Sequence, residues 1–153
     1  MKACFTGHRT ISAKELPWLK QQLNSIIKNL VYAGVDSFLC GGAIGFDMLA
    51  GYTVLDFKNN NKSIKLIMIL PCHNQDLKWP ASEKKAYKKL LALSDEVIYV
   101  STDYFDGCMN MRNIFLVENS DICIAYMKSG RSGTAQTLRL AKEKGIEVYN
   151  LAR

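Results

Sequence analysis

The sequence is sparing with the residues that interrupt or staple a chain. It has three prolines in 153 residues and no repeat or low-complexity segment. Its loopiest stretch, Lys58-Asn59-Asn60-Asn61-Lys62, is too short to separate two domains. Histidine occurs twice, at His8 and His73, and neither these nor the scattered aspartates stand at metal-ligand spacing, so no metal is expected. No apolar run approaches the ~20 residues that span a bilayer, so no membrane partner is expected. The first residues, Met1-Lys2-Ala3-Cys4-Phe5-Thr6-Gly7-His8, reach a turn too soon for a signal peptide. Secretion is not expected, and the cytoplasm is the expected location. The five cysteines are odd in number, and none are in Cys-x-x-Cys spacing. That excludes a disulfide framework and a zinc knuckle. Cys4, Cys40 and Cys123 lie in apolar runs and read as small core residues, whereas Cys72 and Cys108 fall at expected loop positions.

What is present is ordinary globular matter. Hydrophobic residues make up 48% and charged residues 22%, enough for a core without staples. The length suits one domain, residues 1–153, at ~100–200 residues each. Twenty basic against fourteen acidic residues give +6, a lean toward anionic partners. Lys84, Lys85, Lys88 and Lys89 concentrate part of that excess. They read first as a solvated helix face and second as a contact for a polyanion.

Short apolar runs alternate with longer amphipathic ones. Strands are expected over residues 2–6, 36–40, 64–70, 96–100, 121–126 and 146–151. Helices are expected over 13–33, 45–58, 81–93, 107–118 and 133–144. Ser12 and Glu15 fit a capping box for the first helix, although Pro17 argues for a start nearer to itself. Strand and helix in strict alternation imply an α/β fold: one doubly wound, mostly parallel sheet with helices on both faces.

Ligands of such sheets bind outside the carboxyl ends of the strands. Gly7, His8 and Arg9 follow the first strand, and Gly41-Gly42-Ala43-Ile44-Gly45-Phe46-Asp47 the second. Pro71-Cys72-His73-Asn74-Gln75 follow the third, and residues 101–107, with Asp103, Tyr104, Phe105 and Asp106, the fourth. Ser129-Gly130-Arg131-Ser132-Gly133-Thr134 follow the fifth. Two of these segments have the form of a phosphate cradle at a helix start: Gly41-Gly42-x-x-Gly45, and Gly130 to Thr134 with Arg131 beside them. Neither is a P-loop or a Gly-x-Gly-x-x-Gly fingerprint. Each also reads as a tight turn. Asp47 serves either the helix dipole or a ribose hydroxyl. Arg9 and Arg112 are candidate anion clamps. His8 is a structural residue, a hydrogen-bond donor or a general base. Trp79, Tyr104 and Phe105 stack on a base or pack in the core. If the cradle reading of Gly42 holds, Gly42→Val abolishes binding and spares the fold.

Thr6-Gly7-His8-Arg9, Gly41-Gly42-Ala43-x-Gly45-x-Asp47, Pro71-Cys72-x-x-Gln75 and Ser129-Gly130-x-Ser132-Gly133-Thr134 together resemble the YpsA-like family of the SLOG (Smf/DprA–LOG) superfamily, from residue 3 to residue 151. The resemblance implies a Rossmann-like domain that takes a nucleotide or nucleotide-derived ligand at the strand ends, as a sensor or regulator without a further cofactor. By analogy with the relatives it also implies a homodimer. LOG-type relatives are phosphoribohydrolases that free a base from a nucleoside monophosphate, and DprA-type relatives bind single-stranded DNA. Met109-Asn110-Met111-Arg112-Asn113 matches a LOG motif, which carries the family arginine's role to Arg112. The second LOG motif is half present: Gly130, Gly133 and Thr134 match, but Thr137 stands where the catalytic glutamate belongs. A threonine cannot stabilise a cation-like sugar or activate water. The expectation is therefore binding without hydrolysis, with Asp47, Asp103 and Asp106 as the substitute carboxylates should hydrolysis occur. Thr137, three residues after Thr134, is expected to point toward the cleft.

Overall fold

The computed structural model describes residues 1–130 and 132–153; Arg131 lies outside the described residues. The strands are β1 (Lys2–Gly7), β2 (Ser37–Cys40), β3 (Lys65–Leu70), β4 (Glu96–Tyr99), β5 (Ile122–Tyr126) and β6 (Glu147–Asn150). The helices between them are α1 (Leu16–Tyr32), α2 (Phe46–Lys58), α3 (Ala81–Leu93), α4 (Cys108–Glu118) and α5 (Gly133–Lys144). The strands form a single parallel sheet in the order β4-β3-β2-β1-β5-β6. Each pairing of β1 can be read from its register: Cys4 lies opposite Leu39 of β2 and Cys123 of β5.

Side chains alternate across the sheet, and the two faces collect different helices. Ala3, Phe5, Phe38, Cys40, Leu66 and Met68 point into one core with α1, α2 and α3. Cys4, Leu39, Ile67, Ile69 and Cys123 point into the other with α4 and α5. In α1 the buried residues are Leu19, Leu23, Ile27 and Leu30, a stripe at steps of three and four that faces the sheet. Each fully buried aliphatic or aromatic side chain contributes about 1.5–3 kcal/mol. The central strands β2, β3 and β5 are apolar along most of their length because both faces are covered. The edge strands β4 and β6 are half-exposed.

The start of α1 is half of the capping box. The Ser12 hydroxyl accepts the Glu15 amide at 3.2 Å, but the Glu15 carboxylate does not reach back. It takes the Tyr126 hydroxyl and the Lys128 ammonium instead, both at 2.8 Å. The helix itself begins at Leu16 with Pro17 in its first turn, where a missing N–H costs nothing. Cys108 is not a loop residue: it opens α4 and is fully buried. Among the described residues, no helix is long and apolar enough to cross a membrane, and no three His, Cys, Asp or Glu gather as a metal site.

Candidate functional site

The chain leaves β1 toward β2, β3 and β4, then returns to its other side to form β5 and β6. At such a reversal the flanking loops part and leave a crevice. A cleft of about 510 Å³ lies there, over the carboxyl end of β1. Its lining comes from four places: the end of β1 (Phe5 to Arg9), the start of α2 (Ala43 and Asp47), one face of α4, and the start of α5 (Ser132, Gly133 and Thr134).

The start of α5 is open to this cleft. Ser132 is the N-cap and accepts the Ala135 amide at 3.3 Å. The amides of Gly133 and Thr134, first and second in the helix, have no intrahelical acceptor. They sit at the positive end of the helix dipole with cleft in front of them.

The start of α2 is different. The Phe46 amide donates to the His8 carbonyl at 3.1 Å. The Ala43 amide donates to the Asp47 carboxylate at 3.2 Å. Asp47 therefore caps its own loop, and two amides that a phosphate would need are already occupied. Gly41, Gly42 and Gly45 do not line the cleft. A β-carbon on Gly42 (φ +71°) would point at Met68, Leu70 and Tyr87, in the core beneath the sheet. One on Gly45 (φ +91°) would strike the Arg9 backbone. These glycines are required by backbone shape and close packing, so Gly42→Val is not a clean probe of binding. Gly7 likewise serves packing, because a β-carbon there would overlap the Phe46 ring.

Asp47 and Arg112 form the polar floor. Both are about 6% exposed. The Arg112 Nη1 donates to the Gly41 carbonyl at 2.6 Å and Nε to the Asn113 Oδ1 at 3.0 Å. Among the described residues its Nη2 faces only the Met109 sulfur, a weak acceptor, at 3.7 Å. Gln75 supports the same Gly41 carbonyl from the other side, donating at 3.2 Å. No salt bridge joins Asp47 to Arg112. A β-carbon on Gly41 would fall within 3.0 Å of both side chains, so only glycine leaves room for the pair. Burial pushes the Asp47 carboxyl up to about 6, against the pull of Arg112, the Ala43 amide and Arg9. Burial lowers the Arg112 guanidinium, and the Asp47 charge opposes that. The Asp47 Oδ1 is buried and has no hydrogen-bond partner.

The remaining candidates divide by position. Arg9 is exposed at the cleft mouth. His8 lines the cleft, but its Nε2 accepts the Lys128 amide at 2.9 Å, so the neutral ring carries its proton on Nδ1 and Nε2 is not open to act as a base. Gly130 (φ +102°) lies outside the lining and shapes the turn before α5. Arg131 falls outside the described residues. Asp103 and Asp106 are exposed and do not reach the cleft, which leaves Asp47 as its one carboxylate among the described residues. Thr137 does not point into the cleft. It is fully buried and donates to the Gly133 carbonyl at 2.9 Å. Trp79 packs edge-on against Tyr87, while Tyr104 and Phe105 are exposed outside the cleft. Lys85, Lys88 and Lys89 are exposed on α3, away from the lining. All five cysteines are buried and free, and burial raises the Cys72 thiol, which keeps it protonated and poorly nucleophilic.

Sequence reasoning missed Phe5, Thr6, Met109, Asn110, Asn113 and Leu116 as lining residues. Met109, Arg112, Asn113 and Leu116 recur at three, four and seven positions, so the helical period of α4 alone places them on one face with Arg112. Asn113 is buried and holds the Gln136 side chain at 3.1 Å, which ties α4 to the first turn of α5.

Comparison with known proteins agrees with this architecture. The family described as the YspA SLOG family matches residues 4–150. The SPbeta prophage-derived protein YoqJ of Bacillus subtilis is 30% identical over 148 residues, covering 87% of this chain and 86% of its own. A UPF0398 protein of Halalkalibacterium halodurans is 26% identical over 141 residues, covering 90% and 72%. Among solved structures, DNA processing protein A of Helicobacter pylori, described by its single-stranded DNA binding mode, superposes with a TM-score of 0.66 at 22% identity. DprA of Streptococcus pneumoniae gives 0.67 at 18%. The match covers 97% and 96% of this chain but only 63% and 48% of those two. At these identities the likeness is one of fold.

Proposed function

The chain belongs to the YspA SLOG family, and from that premise we propose that it is a nucleotide-binding domain, a sensor or regulator whose ligand lies in the cleft over β1 with its phosphate on the first turn of α5. One observation carries the reading: Gly133 and Thr134, whose amides have no acceptor among the described residues, line the same 510 Å³ cleft as the buried Arg112 and Asp47. A phosphate at α5 meets two N–H donors and a helix dipole, with Arg9 at the mouth to neutralise it. The cleft holds no second carboxylate among the described residues, and Thr137 is buried behind it, so we propose binding without release of free base.

A thermal-shift series across nucleoside mono-, di- and triphosphates, NAD and ADP-ribose tests this. A ligand at a hundred times its dissociation constant stabilises by about 2.7 kcal/mol; a folded sample that shifts with none of them refutes the proposal. Gly133→Asp sharpens the test. The site has room, since the nearest atom to an added β-carbon is the Asn113 Nδ2 at 3.5 Å. A carboxylate in the first turn suits the helix dipole but repels a phosphate. The expected outcome is an unchanged or raised melting temperature with binding lost.

The likeness to DprA favours a second reading, a contact with single-stranded DNA, which the +6 charge supports. A salt series separates the two. Polynucleotide binding falls steeply with salt as counterions are released, whereas a mononucleotide responds weakly.

A further inference from the structure

Resting on that reading of the cleft, we infer that the site selects ribonucleotides over deoxyribonucleotides, with Asp47 accepting a hydrogen bond from a hydroxyl of the ribose. Asp47 has one oxygen satisfied by the Ala43 amide and one, Oδ1, buried with no partner. A buried carboxylate oxygen without a donor is costly, and the residue that carries it, Asp47, lines the cleft while about 6% exposed. The group that satisfies it comes from whatever occupies the cleft, and it is a donor.

That group is not the phosphate. A phosphate beside Asp47 sets two negative charges together, and the Ala43 and Phe46 amides are already occupied. The start of α5 is the place for the phosphate. The ends of β2 and β5, which launch Asp47 and α5, lie two strand spacings apart with β1 between them, about 10 Å. The part of a nucleotide joined directly to its phosphate is the sugar. Reaching from α5 toward Asp47 therefore brings the sugar hydroxyls to the floor before the base.

Arg112 favours the same choice. Its Nη2 has only a thioether for company, so the floor offers one strong acceptor and one strong donor side by side. A hydroxyl donates and accepts at once, and a vicinal pair matches both side chains. A 2′-deoxyribose removes half of that match and leaves a buried polar group unpaired.

The test compares the four ribonucleoside 5′-monophosphates with their 2′-deoxy counterparts, and AMP with 3′-deoxy-AMP, by calorimetry on the wild-type chain. For the bases that bind, the ribose form is expected to bind about tenfold or more tightly than a deoxy form, the range for a hydrogen bond to a charged group. Asp47→Asn is expected to reduce that ratio to within about threefold, chiefly by weakening the ribonucleotide. Equal binding of ribose and deoxyribose forms by the wild-type chain overturns the inference and leaves the proposed function standing. So does a loss in Asp47→Asn that follows the base and not the sugar, which assigns Oδ1 to a base amine. Binding of no nucleotide overturns both. The wild-type comparison needs no variant, so a poorly folding Asp47→Asn chain would not rescue the inference.

Discussion

Replacing Asp47 by asparagine is expected to stabilise the empty protein above pH 6. Burial holds the Asp47 carboxyl near 6, from an ordinary value of 3.8. The folded chain thus binds this proton more tightly than the unfolded chain does. Stability from this group is greatest below the unfolded value, and it falls as pH rises through the window from about 4 to 6. The loss amounts to roughly 3 kcal/mol at neutral pH. Melting curves of wild type and Asp47→Asn should nearly coincide at pH 4 and separate by pH 7, with the variant higher. Gly42→Val should do the opposite at every pH. It forces a β-branched residue to φ +71° and drives its side chain at Met68 and Tyr87, each 3.0 Å from the added carbon. A loss of about 2–4 kcal/mol is expected, from strain and overpacking together, seen as a lower denaturant midpoint. Arg112→Met should cost about 3–5 kcal/mol, the range for breaking a buried charged network. It strips one of the two donors from the Gly41 carbonyl and the Arg112 donor from the Asn113 Oδ1, and leaves Asp47 without its positive neighbour.

Helices and strands were far more legible in the sequence than the roles of single residues. The Leu19-Leu23-Ile27-Leu30 stripe announces α1, and the run Lys65–Leu70 announces a strand buried on both faces, because burial is periodic and the period is written in the residues. The two glycine turns looked alike as text. They differ because Asp47 folds back onto the Ala43 amide in one, while the first amides of α5 have no acceptor among the described residues in the other. Which amides are already spent is a matter of three-dimensional geometry, and no spacing encodes it. Thr137 misled for a related reason: its short side chain bonds one turn back to Gly133, a local bond that competes with an outward orientation. Of the four lysines read as a solvated face, Lys85, Lys88 and Lys89 are exposed and Lys84 is half-buried. Lys85→Glu, Lys88→Glu and Lys89→Glu combined should leave mononucleotide affinity unchanged within about twofold at physiological salt, where the Debye length is about 8 Å. If the DNA reading is right, the same triple variant should weaken oligonucleotide binding and flatten its salt slope.

At the scale of the whole molecule the sheet is most strongly held at its centre. β1 is paired on both sides and its residues Ala3, Cys4 and Phe5 are fully buried. Hydrogen exchange should therefore be slowest at the amides of β1, β2 and β5 and faster in β4 and β6, whose outer edges are unpaired. Of the six strands β1 comes earliest in the sequence, but one of its two partners, β5, comes fifth. The Lys2 amide bonds the Asp121 carboxylate 119 positions away, and β5 must be present before that side of β1 can close. At ribosomal speeds of about 5–20 residues per second, the gap lasts on the order of 10 s. Throughout it the nascent chain carries Ala3, Cys4 and Phe5 with one backbone edge unpaired, the condition under which strands seek foreign partners. The strand that anchors the finished sheet is therefore the segment most in need of shelter during translation.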